Sequence, residues 1–528
     1  MPTITTLNSK KLKLFFGILF ILCFTNYTAA QVTLFESNLP IVVLNTNGAE
    51  IVDEPRIVAQ MGIINNDEGE INHINDDFTD YSGRIAIEIR GSSSQFFPKK
   101  QFGLETQNED GSNNNVSLLG MPEENDWILY APFSDKSLIR NVMTYKMARS
   151  SDNYAPRTRL CEVVINGEYQ GVYVLMEKIK RDKNRVDISK LKPEDIEGDE
   201  LTGGYMLKID KQTGSGGTGW ASPYPPMEGA WQTTLFQYEY PDFDEIQPEQ
   251  AAYIESYVTD FENALWNDDF SDSTAIPQYR QYIDMLSFID FFLLNELTKN
   301  VDGYRLSTFM YKTKDSSDDG GKLHMGPVWD FNLAFGNADY CEGGNVTGYA
   351  MDFNTFCPDD GWIIHFWWQK LLRDPVFAVA TKERWDELRA GIWSDMQINT
   401  CIDSLALVLD KAQERNFTQW DILQEYVWPN NYVGNNYENE IGYLKSWIEQ
   451  RTDWLDDKIN QLGTAKFYLP SYLQMNLSPN PFQNELLVTY EADRGNAVEI
   501  YLYDISGKRV AAFTGRPEVS DVFQIRLN

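Results

Sequence analysis

The sequence predicts an α+β protein in which a β-rich lobe precedes an α-rich lobe, and a further β-rich unit ends the chain. Short apolar runs separated by Asn, Gly and Asp turns fill residues 32–178, which indicates strands. After a Gly- and Pro-rich stretch at 213–229, apolar residues recur at helical spacing. Alternation typical of strands returns within residues 466–528.

Composition narrows the possible functions. A chain of 528 residues is long enough for about three domains. Its formal net charge of −33 disfavours nucleic acids and anionic membranes as partners, although a local basic pocket could still bind phosphate. The three histidines, His73, His324 and His365, are too scattered in the sequence to favour a histidine-based metal site.

Residues 1–30 have the pattern of a secretory signal peptide. Three lysines within residues 10–13 precede an almost wholly apolar run at 14–24, and small residues at 28–30 offer a cleavage site. The apolar run is too short for a comfortable membrane span, and no other stretch is long and uncharged enough for one. We therefore expect export through the periplasm and no transmembrane segment after cleavage.

Four cysteines remain after the signal peptide. An even number in an exported chain favours disulfides, and Cys341 and Cys357, which bracket a Gly-rich loop, are the best candidate pair. Four buried free thiols are the alternative. Whether Cys161 meets Cys401 stays open.

The β-rich lobe is predicted from apolar runs, from alternation and from one strong turn signal. The predicted strands cover residues 40–44, 55–59, 84–90, 101–106, 160–165 and 171–176. Asn166-Gly167 between the last two runs predicts a hairpin. A helix is predicted at 135–149.

The α-rich lobe is predicted from helical spacing of apolar residues. The predicted helices cover residues 250–267, 278–300, 377–393, 402–415 and 438–461. The second of them is the most apolar and is predicted to be buried. Beyond them, residues 486–490 and 500–503 are predicted strands.

A small-residue turn followed by lysines is the first candidate for chemistry. Arg90, Gly91 and the serines Ser92 and Ser93 precede Lys99 and Lys100. Small residues allow close backbone approach, hydroxyl and N–H groups bind anions, and cations neutralise phosphate. The alternative is an ordinary polar turn.

Two further segments could face such a site. Asp135 is a possible helix N-cap, and Arg140 and Asn141 lie one turn further along. The charged run 177–181 follows an apolar strand, and it could equally be a solvated strand end.

Two carboxylates stand where the scaffold would hold them rigidly. Asp302 follows the buried helix directly, which suits a general base or a metal ligand, although a plain helix-ending turn at Gly303 is the alternative. Asp330 lies between large aromatic residues, where a divalent cation or backbone N–H groups would have to stabilise its charge. With the basic turn, the two carboxylates supply the parts of a phosphoryl-transfer site, in the chain order of a protein kinase.

Seven motifs, in order, resemble the spore-coat protein H (CotH) kinase-like family. They are Arg90-Gly-Ser-Ser-Ser with Pro-Lys-Lys100, Asp126-Trp-Ile-Leu-Tyr-Ala-Pro, Asp135-Lys-Ser-Leu-Ile-Arg-Asn, Asn166-Gly-Glu-Tyr-Gln-Gly-Val-Tyr, Met176-Glu-Lys-Ile, Asn300-Val-Asp and Trp329-Asp-Phe-Asn. The resemblance implies an atypical protein-kinase-like two-lobe fold, with a β-rich N-lobe and a helical C-lobe. It also implies that ATP and Mg²⁺ or Mn²⁺ serve to phosphorylate serines of extracellular or surface proteins.

The resemblance assigns roles to particular residues. Asp302 matches the catalytic-loop Asp, and Asp330 matches the metal-binding Asp, with Asn332 beside it. Lys100, or Lys99, is the implied phosphate-binding lysine, joined by Arg90, Ser92 and Ser93. From its place after a strand, Glu177 is expected in the hinge near the adenine.

Two departures from the family pattern leave alternatives open. Ser307 stands where many kinase-like sequences have a metal-binding Asn, and Asn332 stands where relatives often have a second Asp. A nucleotide-binding pseudokinase that acts as a surface, coat or adhesion protein is therefore the main alternative. A phosphotransferase acting on surface glycans is a third.

The C-terminus resembles the type A sorting domain of the type IX secretion system. Leu477-Ser-Pro-Asn-Pro opens it, and the segment 500–510 fits its middle strands. The resemblance implies a small β-sandwich, the type IX secretion machinery as a partner, and secretion or display at the cell surface. The chain ends at Asn528, before the closing strands that such domains usually have, so we expect an incomplete domain.

The predicted organisation has four parts. They are a signal peptide at 1–30, a β-rich N-terminal segment at 31–82, the CotH kinase-like domain at 83–465 and the sorting domain at 466–528.

Overall fold

The computed structural model describes residues 32–212, 218–268, 270 and 277–462, together with the backbone of five strands between 475 and 527. The predicted signal peptide lies outside the described residues. The nine described α-helices are α1 Arg140–Ser150, α2 Gly198–Leu201, α3 Pro248–Asn267, α4 Met285–Thr298, α5 Phe353–Phe356, α6 Trp367–Leu371, α7 Pro375–Ala390, α8 Asp395–Gln419 and α9 Tyr437–Leu462. Short 3₁₀ turns cover Ser93–Phe96, Gln278–Gln281 and Ala350–Asp352.

Strands dominate the first half of the described chain. They are β1 Glu36–Ser37, β2 Ile41–Asn45, β3 Ile57–Ile64, β4 Asn72–His73, β5 Tyr81–Arg90, β6 Gln101–Gln107, β7 Val116–Leu118, β8 Met121–Glu124, β9 Asp126–Tyr130, β10 Thr158–Ile165, β11 Glu168–Glu177, β12 Tyr205–Ile209, β13 Gly219–Ala221, β14 Leu235–Tyr240, β15 Thr308–Lys312 and β16 Leu323–Met325. The C-terminal strands are β17 Met475–Ser478, β18 Leu486–Ala492, β19 Val498–Tyr503, β20 Arg509–Gly515 and β21 Asp521–Leu527. The mixed α+β class, with strands first and helices later, is thus confirmed.

The β-rich part closes into a seven-stranded barrel, which the sequence did not predict. Around its wall the order is β10, β11, β9, β6, β5, β3 and β2, and the parallel pairing of β2 with β10 closes it. All the other neighbouring pairs are antiparallel. Buried side chains such as Ile85, Leu104 and Trp127 fill the barrel interior. An interior filled in this way is a packed core, so ligands have to bind at the barrel's edge.

The predicted hairpin at 160–176 is confirmed. β10 and β11 pair from Thr158 with Met176 to Ile165 with Glu168. Asn166 and Gly167 both take left-handed backbone angles, φ 51° and 84°, as a two-residue turn matched to strand twist requires.

A five-stranded antiparallel sheet brings three segments to one end: the segment after β12, the one before β15 and the one after β16. Its order is β13, β14, β12, β15 and β16. The last residue of β12, Ile209, pairs with the first of β15, Thr308, so the residues beyond them are neighbours. Beyond β16, the Gly326 N–H donates to the Phe309 carbonyl, so the chain leading to Asp330 leaves the sheet at this same end.

The most apolar helix, α4, lies in the helical core, as predicted. Its side chains from Ser287 to Thr298 are all buried, and α7 and α9 pack against it. It begins later than its predicted start at 278, because the Asp284 side chain caps it by accepting the Ser287 N–H. The predicted helix at 402–415 is longer than expected, since the Ser394 cap starts α8 well before residue 402.

The predicted disulfide between Cys341 and Cys357 is confirmed, and it closes a loop of 16 residues' separation. Cys161 and Cys401 are free thiols, the first buried and the second half-buried. Within the described residues, every helix is too short or too polar to cross a bilayer.

Candidate functional site

A cavity of about 820 Å³ opens where the barrel edge meets that end of the five-stranded sheet. The turn after β5, the start of α1 and the segment after β16 contribute to its wall. Asp302 and Asp330 both line it, so the structure brings together the two carboxylates that the sequence singled out.

Asp302 is held by the turn that follows α4. Its N–H donates to Asn300 Oδ1 at 3.3 Å, and its carbonyl accepts the Leu306 N–H at 2.9 Å. Its carboxylate accepts a hydrogen bond from Arg305 Nη2 at 3.0 Å, and Arg305 is itself buried. The carboxylate is thus oriented by a fixed cation and still lines the cavity.

Asp330 sits in a left-handed backbone conformation with φ 62°, which costs an L-residue about 1–2 kcal/mol. Hydrogen bonds to its neighbours hold this conformation. Its N–H donates to the Tyr145 hydroxyl at 3.1 Å, and its carbonyl accepts from Asn300 Nδ2 at 3.1 Å. The next N–H, that of Phe331, donates to Asn141 Oδ1 at 2.6 Å.

Both burial and neighbouring carboxylates disfavour the ionised form of Asp330. Burial, followed by the neighbouring carboxylates of Asp302 and Asp210, raises the pKa of Asp330 to about 7, while Arg90 and Lys211 oppose the rise. A bound cation would relieve this repulsion.

Asp210 is a member of the site that the sequence reasoning missed. It follows β12 directly, lines the cavity, and accepts the backbone N–H groups of Lys211 and Ser307. Burial raises its pKa despite these bonds. A signal was available, since Asp210 follows a short apolar run just as Asp302 follows an apolar helix.

The basic turn also reaches the cavity. Arg90, Ser92 and Ser93 line it, and the Arg90 guanidinium carbon lies 5.7 Å from the centre of the Trp329 ring. Gly91 has φ 106°, and a Cβ there would lie 2.0 Å from Ser94 Oγ, so this turn requires glycine.

Lys99 and Lys100 point elsewhere. The buried Lys99 Nζ donates to the Val172 carbonyl at 2.6 Å and to Asn416 Oδ1 at 2.8 Å, and Lys100 Nζ donates to the Gln95 carbonyl at 2.6 Å. Neither belongs to the cavity lining. The lining residues that carry positive charge, among those described, are Arg90, Lys178, Lys208 and Lys211.

Glu177 is likewise engaged away from the cavity. Its fully buried carboxylate accepts from Arg157 Nη1 and from the Arg157 N–H, both at 2.8 Å. The adjoining Met176, Lys178 and Ile179 are the residues that line the cavity. Arg140, which could have faced the site, is instead buried and donates to the Ala334 carbonyl.

Carboxylates outnumber cations on the described lining. They are Asp53, Glu54, Glu88, Asp210, Glu239, Asp242, Asp244, Asp302 and Asp330, nine against four cationic side chains. Among the described residues, no three His, Cys, Asp or Glu side chains form a group that could hold a metal ion alone. Mg²⁺ in phosphate-transfer sites is held by one or two carboxylates together with substrate phosphates. The oxygen donors Asp330, Asp302 and Asn332 therefore fit a Mg²⁺–phosphate complex better than an all-protein metal site.

The two departures from the family pattern are both on the lining. Ser307 has a left-handed backbone with φ 47°, and its N–H faces Asp210. Asn332 lies near the end of the segment that carries Asp330.

The sequence of this chain matches a family described as CotH kinase protein over residues 87–455, more than half of its length. No curated protein matches the chain.

Proposed function

The chain belongs to the CotH kinase protein family, and from that membership we propose that it is an atypical protein Ser/Thr kinase. It would transfer the γ-phosphate of ATP to hydroxyl groups of extracellular or surface proteins. The observation that carries the proposal is that Asp302 and Asp330 share one cavity with Arg90 and the glycine–serine turn. In this proposal the barrel forms the N-lobe of a kinase-like two-lobe fold, and the helices form the C-lobe.

Asp302 acts as the catalytic base. The acceptor oxygen bonds to the γ-phosphorus, the bond from that phosphorus to the ADP oxygen breaks, and Asp302 accepts the hydroxyl proton. Because the Arg305 guanidinium fixes Asp302 Oδ1, the carboxylate is preorganised for this role.

Other lining residues would neutralise the negative charge of the nucleotide phosphates. Asp330 and Asn332 would hold Mg²⁺ or Mn²⁺, which when bound neutralises developing phosphate charge. Arg90 with Ser92 and Ser93 would contact the nucleotide phosphates. With Lys99 and Lys100 turned away, Lys211, which acts electrostatically on Asp330, is the better candidate for the phosphate lysine.

Two features of the chain favour an extracellular acceptor. The signal-peptide pattern at 1–30 and the Cys341–Cys357 disulfide are both typical of chains that leave the cytoplasm. The proposed route is through the periplasm to the surface or medium, and the type IX secretion machinery would recognise residues 466–528.

The test incubates the full chain with γ-labelled ATP and Mg²⁺ or Mn²⁺, beside the Asp302→Ala and Asp330→Asn variants. We expect metal-dependent label in the chain itself or in an acidic acceptor protein, and at least a hundredfold loss in both variants. Equal transfer by Asp330→Asn, with unchanged unfolding, would remove the assignment.

The pseudokinase is the second candidate, because Ser307 lacks the amide that many kinase-like sequences use to bind metal. Saturable binding of Mg²⁺–ATP without label transfer would establish it in place of the kinase.

A further inference from the structure

The guanidinium of Arg305 is fixed on every side. Its Nε donates to the Val301 carbonyl at 2.8 Å, Nη1 to the Trp362 carbonyl at 3.0 Å, and Nη2 to Asp302 Oδ1 at 3.0 Å. The side chain is 3% exposed. Because each nitrogen has an acceptor, the guanidinium cannot turn without breaking bonds on both sides of it, and Asp302 would lose its orientation.

The far side of Arg305 is built by the disulfide-linked segment and the residues just after it. The guanidinium lies 4.0 Å from the centre of the Phe353 ring, and Phe353 stands within the loop that Cys341 and Cys357 close. Nη1 also approaches Asp360 Oδ1 at 3.3 Å, and the Asp360 N–H donates to the Cys357 carbonyl at 3.2 Å. A continuous set of contacts therefore connects the disulfide to Asp302.

The disulfide loop has other attachments that do not depend on the S–S bond. Arg451 donates to the carbonyls of Val346 and Gly348, and the Glu296 carboxylate accepts the N–H groups of Ala350 and Met351. These buried contacts would keep the loop docked after reduction. The change would be confined to the end near Cys357, where Phe353 and Asp360 meet Arg305.

We propose that Arg305 is the positioning residue for Asp302, and that reduction of Cys341–Cys357 lowers phosphate transfer by releasing Arg305. This inference rests on the proposed role of Asp302. In the redox step a dithiol supplies two electrons and two protons, the S–S bond breaks, two thiols form, and the dithiol becomes its own disulfide.

The test compares the full chain oxidised and after treatment with a dithiol, with the cysteines mapped by mass spectrometry. The rate of label transfer and the affinity for Mg²⁺–ADP are measured separately. We expect reduction to lower the rate about tenfold, with nucleotide affinity changed less than twofold and the rate recovered on reoxidation. Cys161→Ala/Cys401→Ala, which removes the two free thiols of the described residues, should respond to the dithiol as the wild type does.

Arg305→Lys distinguishes positioning from general stability. Lysine keeps the charge but not the planar fork, so we expect a rate loss of about tenfold in the oxidised variant. Because reduction acts through Arg305, it should cause little further loss in this variant. Full additivity of the two losses, or an unchanged rate on reducing the wild type, would overturn the inference.

Hydrogen exchange provides a readout that survives failure of the proposed function. Reduction should speed amide exchange in residues 300–308, whereas the hairpin 158–177 should not change. If the oxidised wild type transfers no label, the proposed kinase activity is wrong, but the positioning role of Arg305 is not affected. Unchanged exchange at 300–308 would count against the positioning role of Arg305, whatever the activity.

Discussion

Tyr145→Phe tests how Asp330, the proposed metal ligand, is held. The Tyr145 hydroxyl accepts the Asp330 N–H at 3.1 Å, while its ring stacks near Trp329 with centroids 6.1 Å apart. Phenylalanine keeps the ring contact and removes only the acceptor. A buried N–H left without a partner costs about 1–3 kcal/mol.

The left-handed backbone of Asp330 costs about 1–2 kcal/mol, and the hydrogen bond to Tyr145 offsets a cost of this size. Without that bond, the segment loses much of what holds Asp330 in its left-handed conformation. If about 1.4 kcal/mol of the loss acts on the equilibrium between this conformation of the Asp330 segment and its alternatives, the present conformation becomes about tenfold less favoured. We expect Mg²⁺–ADP to bind up to about tenfold more weakly, and the free energy of unfolding to fall by about 1–3 kcal/mol.

The assays are calorimetric titration with Mg²⁺–ADP and urea unfolding followed by tryptophan fluorescence. Tyr205→Phe is the matched control, since the buried Tyr205 donates its hydroxyl proton to the Leu201 carbonyl at 2.6 Å, away from the cavity lining. It should lower stability by about 1 kcal/mol and leave nucleotide affinity unchanged. Equal nucleotide affinity in Tyr145→Phe and wild type would refute the reasoning.

Three further substitutions, the last with a matched control, test charges in the fold and the site. Burial lowers the pKa of Lys99 to about 7. Between pH 7 and 9 the unfolded chain therefore holds a proton on this lysine that the folded chain has released. The free energy of unfolding of the wild type, relative to that of Lys99→Met, should rise by up to about 1.4 kcal/mol per pH unit over this range, as urea unfolding at both pH values would show. Arg451→Met leaves the fully buried Glu296 carboxylate without its cation and should lower the free energy of unfolding by about 3–5 kcal/mol; a loss below 1 kcal/mol would contradict this. Asp210→Asn removes a carboxylate that repels Asp330, so we expect a higher melting temperature but weaker Mg²⁺–ADP binding. The control is Glu239→Gln, which loses an ion pair with Lys208 on the same lining and should not become more stable.

Local patterns were sufficient for much of the fold. The Asn166-Gly167 turn, the six longest of the nine described helices and the Cys341–Cys357 pair could be predicted, because each depends on residues close in sequence. Barrel closure could not be predicted in this way. It depends on parallel pairing of β2 with β10, more than 100 residues apart, and no short-range periodicity encodes such a pairing.

The same distinction applies to the site. Asp302 could be found because it follows an apolar helix in the sequence, and Asp330 because it lies between large aromatic residues. The direction of Lys99 was missed, because its acceptor Asn416 lies 317 residues away, on α8. A basic residue beside a glycine–serine turn indicates available charge, but only packing decides which way that charge points.

The carboxylate excess on the lining sets a condition for any phosphate ligand. Nine carboxylates face four cationic side chains, and a nucleotide polyphosphate adds further negative charge. The four cationic side chains cannot balance this charge, whereas each Mg²⁺ would contribute two positive charges. Asp330 is the place where such charge would matter most, because burial, followed by the carboxylates of Asp302 and Asp210, raises its pKa, while Asp242 and Asp244 are exposed and screened by solvent. Under the proposed function, the nucleotide would therefore enter together with its divalent cation. The metal dependence of the proposed phosphate transfer would then follow from the charge of the cavity as well as from the mechanism.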